Sequence, residues 1–557
     1  MTELVFVPLG GVGEIGMNFA LYGIGPEADR KWIIVDCGVT FPGPDLPGVD
    51  LVLPDIRFIE KKRDNILGIV ITHAHEDHYG ALLSLYPSLA PRADVPVYMT
   101  PFAAGMLASK ARGESGPQPD IPVVEFDVGG RFTLGPFDIE AVAVTHSIPE
   151  PVSLAIRTPA GTVLHTGDWK DDNDPSLGPR INENRFQEIG REGVLALICD
   201  STNAMRDGES PSEREVSAGL KKVISDADGR VAITTFSSNV GRIKSIALAA
   251  AAAGRQTLLL GRSMKRVVDV ADELGYMEGV PPFITEDEFG YIPRDKAVII
   301  LTGSQGESRA ALAKLSRAEM RDVALHAGDT VVYSSRDIPG NERAILEIKN
   351  RLIDMGIHII EDGKSLVHVS GHPRRNELRK MYEWVQPAIG IPVHGEAAHL
   401  SAHADLMREC GIPDVLDVRN GDLVRLGPDA PEIAGDVPHG LVFKDGKVIG
   451  DADMTGVADR RRLSFAGHVT MSIILDKQYE IAVDPQLASY GLPQIKIGSD
   501  ELDDLLYDAA VSAVESIPRG RRKNLDAVEE AASKAIRAVA RNQWGKKPMV
   551  TIFVDRI

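Results

Sequence analysis

The chain has 557 residues, 43% of them apolar and 25% charged, with a net charge of −19 from 61 Lys and Arg against 80 Asp and Glu; that composition is globular, and the length predicts about three or four domain-sized units. The acidic balance argues against a basic nucleic-acid coat protein, but not against a nuclease, because a local basic groove or bound divalent cations offset a distant acidic surface. No uncharged apolar run reaches the ~18 residues of a membrane helix and the segment from Met1 to Pro8 lacks a basic n-region, while Cys37, Cys199 and Cys410 are too few and too scattered for a disulfide framework or a cysteine zinc site, so a cytoplasmic protein without membrane span or signal peptide is expected.

From Leu4 to about Ala204 short apolar strands alternate with Gly/Pro turns and helical stretches. The expected strands are Trp32–Asp36, Ile66–Thr72, Val95–Met99, Ile139–Val144, Thr162–His165 and Leu195–Cys199. Several run into a polar residue, as in layered α/β proteins whose sites sit on loops at strand ends. Gly10–Gly16 is glycine-rich, but no long βαβ pattern with a placed acidic residue follows, so a tight strand-to-strand turn is expected rather than a dinucleotide fingerprint. From about Met205 helix and strand alternate. Ser212–Ala227 reads as a helix capped by Ser210 or Ser212, Val231–Phe236 as a strand, Arg242–Ala253 as an alanine-rich helix and Thr257–Leu260 as a strand. Val267–Leu274, Ala297–Leu301, Ser308–Leu315, Thr330–Ser334 and Asn341–Met355 continue the pattern, which predicts an inserted parallel α/β unit. Strand-loop-strand texture returns from Ser365. Beyond it the polar 451–464 reads as a linker, followed by strands Val469–Leu475 and Tyr479–Val483, helices Glu501–Glu515 and Leu525–Arg541, and a last strand Met549–Val554. The boundaries are therefore 1–205, 206–364, 365–450, 451–464 and 465–557.

The densest chemistry is His73-Ala74-His75-Glu76-Asp77-His78, directly after the apolar run Ile66–Thr72. A polar surface loop is the bland reading. Imidazoles and carboxylates this close are instead the ligands of a hydrolytic zinc or manganese centre. In extended backbone His73 and His75 point to one side, and Asp77 and His78 follow at an expected helix start. Further ligands stand after strands: His146 in Thr145-His146-Ser147, Asp168 in Thr166-Gly167-Asp168-Trp169, and His394 in Pro392-Val393-His394-Gly395. Two ions about 3.5–4 Å apart activate a water and steady the leaving oxygen of a phosphodiester. Asp168 is the candidate bridging carboxylate. Glu76 has no assigned role.

His73-x-His75-x-Asp77-His78, with Asp36, His146 and Asp168, resembles the metallo-β-lactamase superfamily. Asp200 in Cys199-Asp200-Ser201, His372 in Ser370-Gly371-His372 and His394 in Val393-His394-Gly395 are similar to three motifs of its nucleic-acid-processing β-CASP branch. In length, motif order and C-terminal texture the whole chain is most similar to the ribonuclease J family. The resemblance implies a four-layer αββα core (1–205 and 365–450), an inserted α/β β-CASP domain (206–364) and a small α+β C-terminal domain. It implies two divalent ions, zinc or manganese: one on His73, His75, His146 and Asp168, the other on Asp77, His78, Asp168 and His394. Asp36 would orient a ligand histidine from behind. Asp77, His78, Asp200 and His372 would take part in catalysis. Where Asp is expected after His-Ser-Ile-Pro, this chain has Glu150.

The same resemblance implies that His368-Val369-Ser370-Gly371-His372 contacts phosphate, which suits small residues with exposed N–H groups, although a plain strand-to-helix turn is also consistent. In the insert, Ser237, Ser238, Asn239, Arg262 and Ser263 are expected near a pocket for the RNA 5′ end. Arg519-Gly520-Arg521-Arg522-Lys523 is basic and suits contact with RNA backbone, but such a run is more often a solvated loop between helices, which is the expectation here. The implied activity is a metal-dependent ribonuclease, 5′→3′ from 5′-monophosphate ends of single-stranded RNA and also endonucleolytic, serving mRNA decay and rRNA maturation, as a homodimer or homotetramer without membrane partner. The alternatives are a binuclear hydrolase of small esters and a non-catalytic RNA-binding scaffold.

Overall fold

In a computed structural model of the chain, residues 2–338, 340–363 and 365–557 are described. The expected first residue, Met1, and the expected boundary at Lys364 lie outside them. Two compact units form: residues up to Thr40 together with Leu53–Leu441, and Phe41–Val52 together with Val442–Ile557.

Two large sheets organise the first unit. One has eight strands, in the order Glu432–Asp436, Asp422–Gly427, Leu4–Gly10, Phe19–Ile24, Lys31–Val35, Ile66–Val70, Val97–Met99 and Val123–Glu125. The other has seven, in the order Asp414–Val415, Ile389–Val393, Ala196–Asp200, Gly161–His165, Val152–Thr158, Phe137–Ala143 and Arg131–Leu134. They stack face to face through one core that joins Phe6, Tyr22, Ile33, Val35 and Val70 to Ile139, Leu154, Val163, Ile198 and Ile391. Period-two alternation creates the next layer. Ala196 and Ile198 face that interior, whereas Leu197 and Cys199 turn outward among Phe186, Leu378, Met381, Trp384 and Leu406 of the helices Glu183–Glu192, Arg375–Val385 and Ala397–Glu409. On the eight-stranded sheet, Ile66–Val70, Val97–Met99 and Val123–Glu125 pair in parallel. Their crossovers carry helices Leu82–Leu89 and Pro101–Gly113. Since the inner face is taken by the other sheet, these helices cover the outer one. The result is the expected four-layer αββα arrangement.

The third sheet of this unit is the expected insert. It is wholly parallel, ordered Gln256–Leu260, Ala297–Leu301, Val231–Thr234, Thr330–Tyr333 and His358–Glu361. Runs such as Ala297–Leu301, buried throughout, mark strands covered on both faces. The loops beginning at Thr235, Gly261, Thr302 and Ser334 all leave the carboxyl ends of these strands, the edge on which such sheets carry sites. Of the two expected caps, Ser212 closes a capping box with Glu215, while Ser210 is taken by Glu377.

In the second unit His468–Leu475 pairs with Gln486–Tyr490 and Met549–Arg556. Val469, Met471, Ile473 and Leu475 face two helices whose buried residues recur every fourth position, Leu502, Leu506, Ala510, Val514 and Val528, Ala532, Ile536, Ala540. Three expectations need correction here. Tyr479–Val483 is not a strand: the Asp476 carboxylate accepts the N–H groups of Gln478 and Glu480, closing a turn with Tyr479 in left-handed backbone, and the strand starts at Gln486. Residues 451–464 are no open linker, because helix Val457–Ala466 begins within them and buries Val457. Arg519–Lys523 is solvated as expected except at the buried Arg522, but it is not a loop: Arg519–Arg522 is a helical turn, and Arg519 and Arg522 both pair with Glu480.

Candidate metal centre

The strands of the sandwich end along one edge, and their loops bring the expected side chains together. After strand Ile66–Val70 the backbone bends at Thr72 and Ala74 and is extended at His75, just before the short helix Glu76–Tyr79. His73 Nε2 and His75 Nδ1 meet, 3.0 Å apart. One helical turn then places His78. Phe137–Ala143 leads to His146, Gly161–His165 to Asp168, Ala196–Asp200 ends on Asp200, and Ile389–Val393 leads to His394. Two donor sets result: His73, His75, His146 and Asp168, and Asp77, His78, Asp168 and His394, the donor atoms of each set lying within 4.8 Å of one another. Asp168 belongs to both. A third group joins Asp168, Asp200 and His372.

Four of the rings are aimed by a partner on their far side. The Asp36 carboxylate accepts His78 Nδ1–H at 2.7 Å, the Thr72 N–H at 2.8 Å and the Thr72 hydroxyl at 3.0 Å. Holding all three takes Asp36 into left-handed backbone (φ 63°), a strain normally kept only where surroundings over-determine it. Because Thr72 donates to Asp36, its oxygen accepts from His73 Nδ1 at 3.0 Å. His146 Nδ1 donates to the Gly371 carbonyl at 2.7 Å. A Cβ on Gly371 would lie 2.6 Å from the His146 ring, so only glycine lets that carbonyl approach. His75 Nε2 lies 3.0 Å from Ser238 Oγ.

These partners assign the tautomers. His73 Nε2 and His146 Nε2 are left as bare lone pairs, both facing His75 Nδ1, at 3.0 and 3.1 Å. At most one of the two contacts can carry a proton. Asp168 Oδ1 and His394 Nδ1 lie 3.1 Å apart, buried, and neither makes a hydrogen bond. A divalent cation would satisfy these converging lone pairs and orphaned buried acceptors, and this mixed nitrogen–carboxylate donor set suits zinc or manganese.

Electrostatics agrees for the histidines of the first donor set. Burial lowers His75 to about 4, and holds His73 and His146 well below the usual histidine range, so all three rings are neutral, as ligands must be. Burial also disfavours charge on His78, but the carboxylates of Asp168, Asp77 and Asp36 outweigh it and raise its pKa well above normal. For His372 burial is outweighed by Asp200, whose carboxylate is 2.7 Å away, and the pKa rises to about 9.

The expected phosphate-contacting residues divide. His372 joins the cluster through Asp200 and Asp168. Ser370 accepts from Asn203 Nδ2, Gly371 serves His146, and Val369 is buried. His368 is buried beside the insert, where burial and the Arg242, Lys170 and Arg206 cations hold its pKa well below normal. In the insert Ser238 reaches the cluster directly. Asn239 instead caps helix Val240–Ala252 by accepting from Arg242 N–H, Ser237 is half-buried in the same loop, and Arg262 and Ser263 are exposed on the first turn of helix Arg262–Glu273.

Several supporting residues escaped the sequence reading. Asn18 Nδ2 donates to the Asp77 carbonyl at 3.1 Å. Glu76 gains a role: it pairs with Lys110, which also donates to the Gly80 carbonyl at 2.9 Å and so ties the ligand turn to helix Pro101–Gly113. Glu150 accepts the Phe102 N–H at 2.7 Å and the Tyr276 hydroxyl at 2.6 Å. Only its standing where Asp was expected marked Glu150 in the sequence.

Residues 31–186 match the family described as the beta-lactamase superfamily domain, 228–352 the ribonuclease J beta-CASP domain, 340–415 the Zn-dependent metallo-hydrolase RNA specificity domain, and 455–557 the ribonuclease J C-terminal domain. The chain is 61% identical over 555 residues to ribonuclease J of Sinorhizobium meliloti, covering 100% of this chain and 98% of that one. It is 40% identical to ribonuclease J of Mycolicibacterium smegmatis (84% and 83% covered) and 34% identical to that of Thermus thermophilus (98% and 94%). A crystal structure of a protein of unknown function from Enterococcus faecalis V583 shares the fold, with a TM-score of 0.51 at 16% identity over 76% of this chain and 100% of that one.

Proposed function

The chain belongs to the ribonuclease J family, and from that premise we propose how this metal-dependent ribonuclease binds its ions and its RNA. Its substrate is single-stranded RNA, cut 5′→3′ from 5′-monophosphate ends and also internally, in cytoplasmic mRNA decay and rRNA maturation, by a homodimer or homotetramer. The observation that carries the reading is Asp168, one carboxylate shared by two complete donor sets. His73, His75, His146 and Asp168 hold one ion, and Asp77, His78, Asp168 and His394 the other, zinc or manganese. When bound, such a pair supplies water activation and charge neutralisation at the phosphodiester.

The rest is done by side chains. Asp36 and Thr72 keep the His78 and His73 rings in the tautomers that leave Nε2 free. His372, protonated at neutral pH by its pairing with Asp200, holds the scissile phosphate or gives its proton to the leaving oxygen. The residues 206–364 form the RNA-facing unit. Beside it His368, only 8% exposed, has two ring nitrogens without a well-formed hydrogen bond, and the Ser335 and Thr234 hydroxyls of the insert are likewise buried and unpaired. Buried donors in want of an acceptor, with Lys170 and Arg206 near His368, suit the terminal phosphate.

Cleavage of end-labelled RNA bearing a 5′-monophosphate or a 5′-triphosphate tests this, and faster, processive decay of the monophosphate is expected. Equal, distributive decay of both would count against the phosphate pocket. Efficient ester hydrolysis with intact RNA would favour the small-ester alternative. Binding of RNA without any cleavage would favour the scaffold.

A further inference from the structure

We infer that the inserted unit is a working part of the metal centre, with Ser238 the positioning residue for His75. This rests on the two-ion reading above.

The four histidines whose far ring nitrogen is partnered differ in where the partner comes from. His73 and His78 are aimed by Thr72 and Asp36, within the strand ends of the sandwich. His146 is aimed by the Gly371 carbonyl. His75 is aimed by a hydroxyl from the insert, 163 residues away in sequence. With Nδ1 turned to the converging nitrogens of His73 and His146, the remaining proton of the His75 ring belongs on Nε2, and Ser238 Oγ accepts it.

Ser238 is held firmly enough to act this way. It sits between strand Val231–Thr234 and helix Val240–Ala252, whose first turn is capped by Asn239. In that turn Arg242, with no exposed surface, donates to both oxygens of Glu213, to Ser334 Oγ at 2.6 Å and to the Val367 carbonyl. Glu213 N–H in turn donates to Asp172, two residues beyond the Lys170 that pairs with it. The loop carrying Ser238 is thus braced on the sandwich loop 170–172 rather than left free.

An independent contact ties the insert to the loop of the neighbouring ligand. Helix Arg262–Glu273 lies against helix Pro101–Gly113 so closely that a Cβ on Gly105 would meet Val270 at 2.7 Å. Just beyond it the Tyr276 hydroxyl donates to Glu150, four residues after His146. The insert therefore reaches both His75 and the His146 loop, two of the three rings of one donor set, and neither His78 nor Asp77 depends on it in this way.

The test is titration of the metal-free, full-length chain with Zn2+ or Mn2+ alone, followed by calorimetry and metal analysis. Ser238→Ala should weaken one of the two binding steps by ~10–100-fold, the usual effect of removing the partner behind a ligand histidine. The other step, the circular dichroism and the thermal midpoint of the metal-free protein should stay as in the native chain. Ser238→Thr, which keeps the hydroxyl, should restore the weakened step. Native-like binding of both ions by Ser238→Ala overturns the inference. So does native-like metal binding combined with a raised KM for RNA, which would make Ser238 a substrate contact instead. Fewer than two ions on the native chain would refute the two-ion reading itself, and is read without any substitution.

Discussion

The two halves of the metal centre share Asp168 but are built differently. The half with Asp77, His78 and His394 is fixed within the sandwich: Asp36 grips His78, Asn18 grips the Asp77 backbone, and the Gly11 carbonyl accepts the His394 N–H at 2.6 Å. In the other half His75 and His146 are aimed by Ser238 and Gly371, residues contributed after long excursions of the chain. Ligands that are neighbours in sequence thus answer to different parts of the fold. One half is a property of the sandwich alone, and the other takes one of its partners, Ser238, from the insert, which on the proposed reading couples ion binding to the RNA-facing unit.

The most damaging change should be the one that strikes both halves together. Asp168→Asn keeps the shape but removes the charge that faces His73, His78, His146 and His394. Both ions should be lost and RNA cleavage should fall by more than ~100-fold, since the activation of water rests on the ion pair. Metal analysis beside product mapping would check this, and retention of one tightly held ion would show that the halves do not truly share this carboxylate.

Next come changes confined to one half. Asp36→Ala leaves His78 Nδ1 without its acceptor in a buried place, and should weaken one ion by ~10–100-fold. If the halves are independent, that ion is the one left untouched by Ser238→Ala, and the double variant shows the sum of the two losses. Weakening of the same binding step by both substitutions would erase the distinction between the halves. Gly371→Ala should disturb the insert-dependent half sterically. Its Cβ would sit 2.6 Å from the His146 ring, and displacing that ring should cost about 1–3 kcal/mol of stability, as overpacking does, in a denaturant titration. Its metal defect should match that of Ser238→Ala rather than that of Asp36→Ala.

The two halves were not equally legible in the sequence. His73, His75, Asp77 and His78 announce themselves because neutral or ionised polar side chains are improbable directly after a buried strand. His146, Asp168 and His394 follow because each ends an apolar run. The strands of the layered core were legible as apolar runs, but Ala196–Cys199 is apolar throughout, so which residues face which layer shows only in the structure, and the four layers were expected from the resemblance. What remained hidden is the support. A backbone carbonyl such as that of Gly371 has no side-chain signature, and a serine in Phe236-Ser237-Ser238-Asn239 reads equally as cap, turn or phosphate contact until the tertiary structure brings it to His75. Asn239 turned out to be the cap and Ser238 the contact with the centre. Propensity misled in the second unit for a related reason. Tyr479-Glu480-Ile481-Ala482-Val483 has the composition of a strand, but the carboxylate of Asp476 collects the local N–H groups first.

The smallest expected effect concerns how the insert is fastened, and it uses the position where this chain departs from the residue its resemblance led one to expect. Glu150 bridges Phe102 N–H and the Tyr276 hydroxyl with its two oxygens. Aspartate is one methylene shorter and cannot span both. Tyr276→Phe and Glu150→Asp should therefore remove the same bond, each costing about 1–2 kcal/mol for a hydrogen bond to a charged, partly buried group. The double variant should then be little worse than either single one, which a double-mutant cycle in denaturant reads directly. Hydrogen exchange should locate the loosening in helix Arg262–Glu273. Simple addition of the two losses would mean that Glu150 acts only on helix Pro101–Gly113, and that the insert is held at the metal centre by Ser238 and the Arg242–Glu213 brace without this latch.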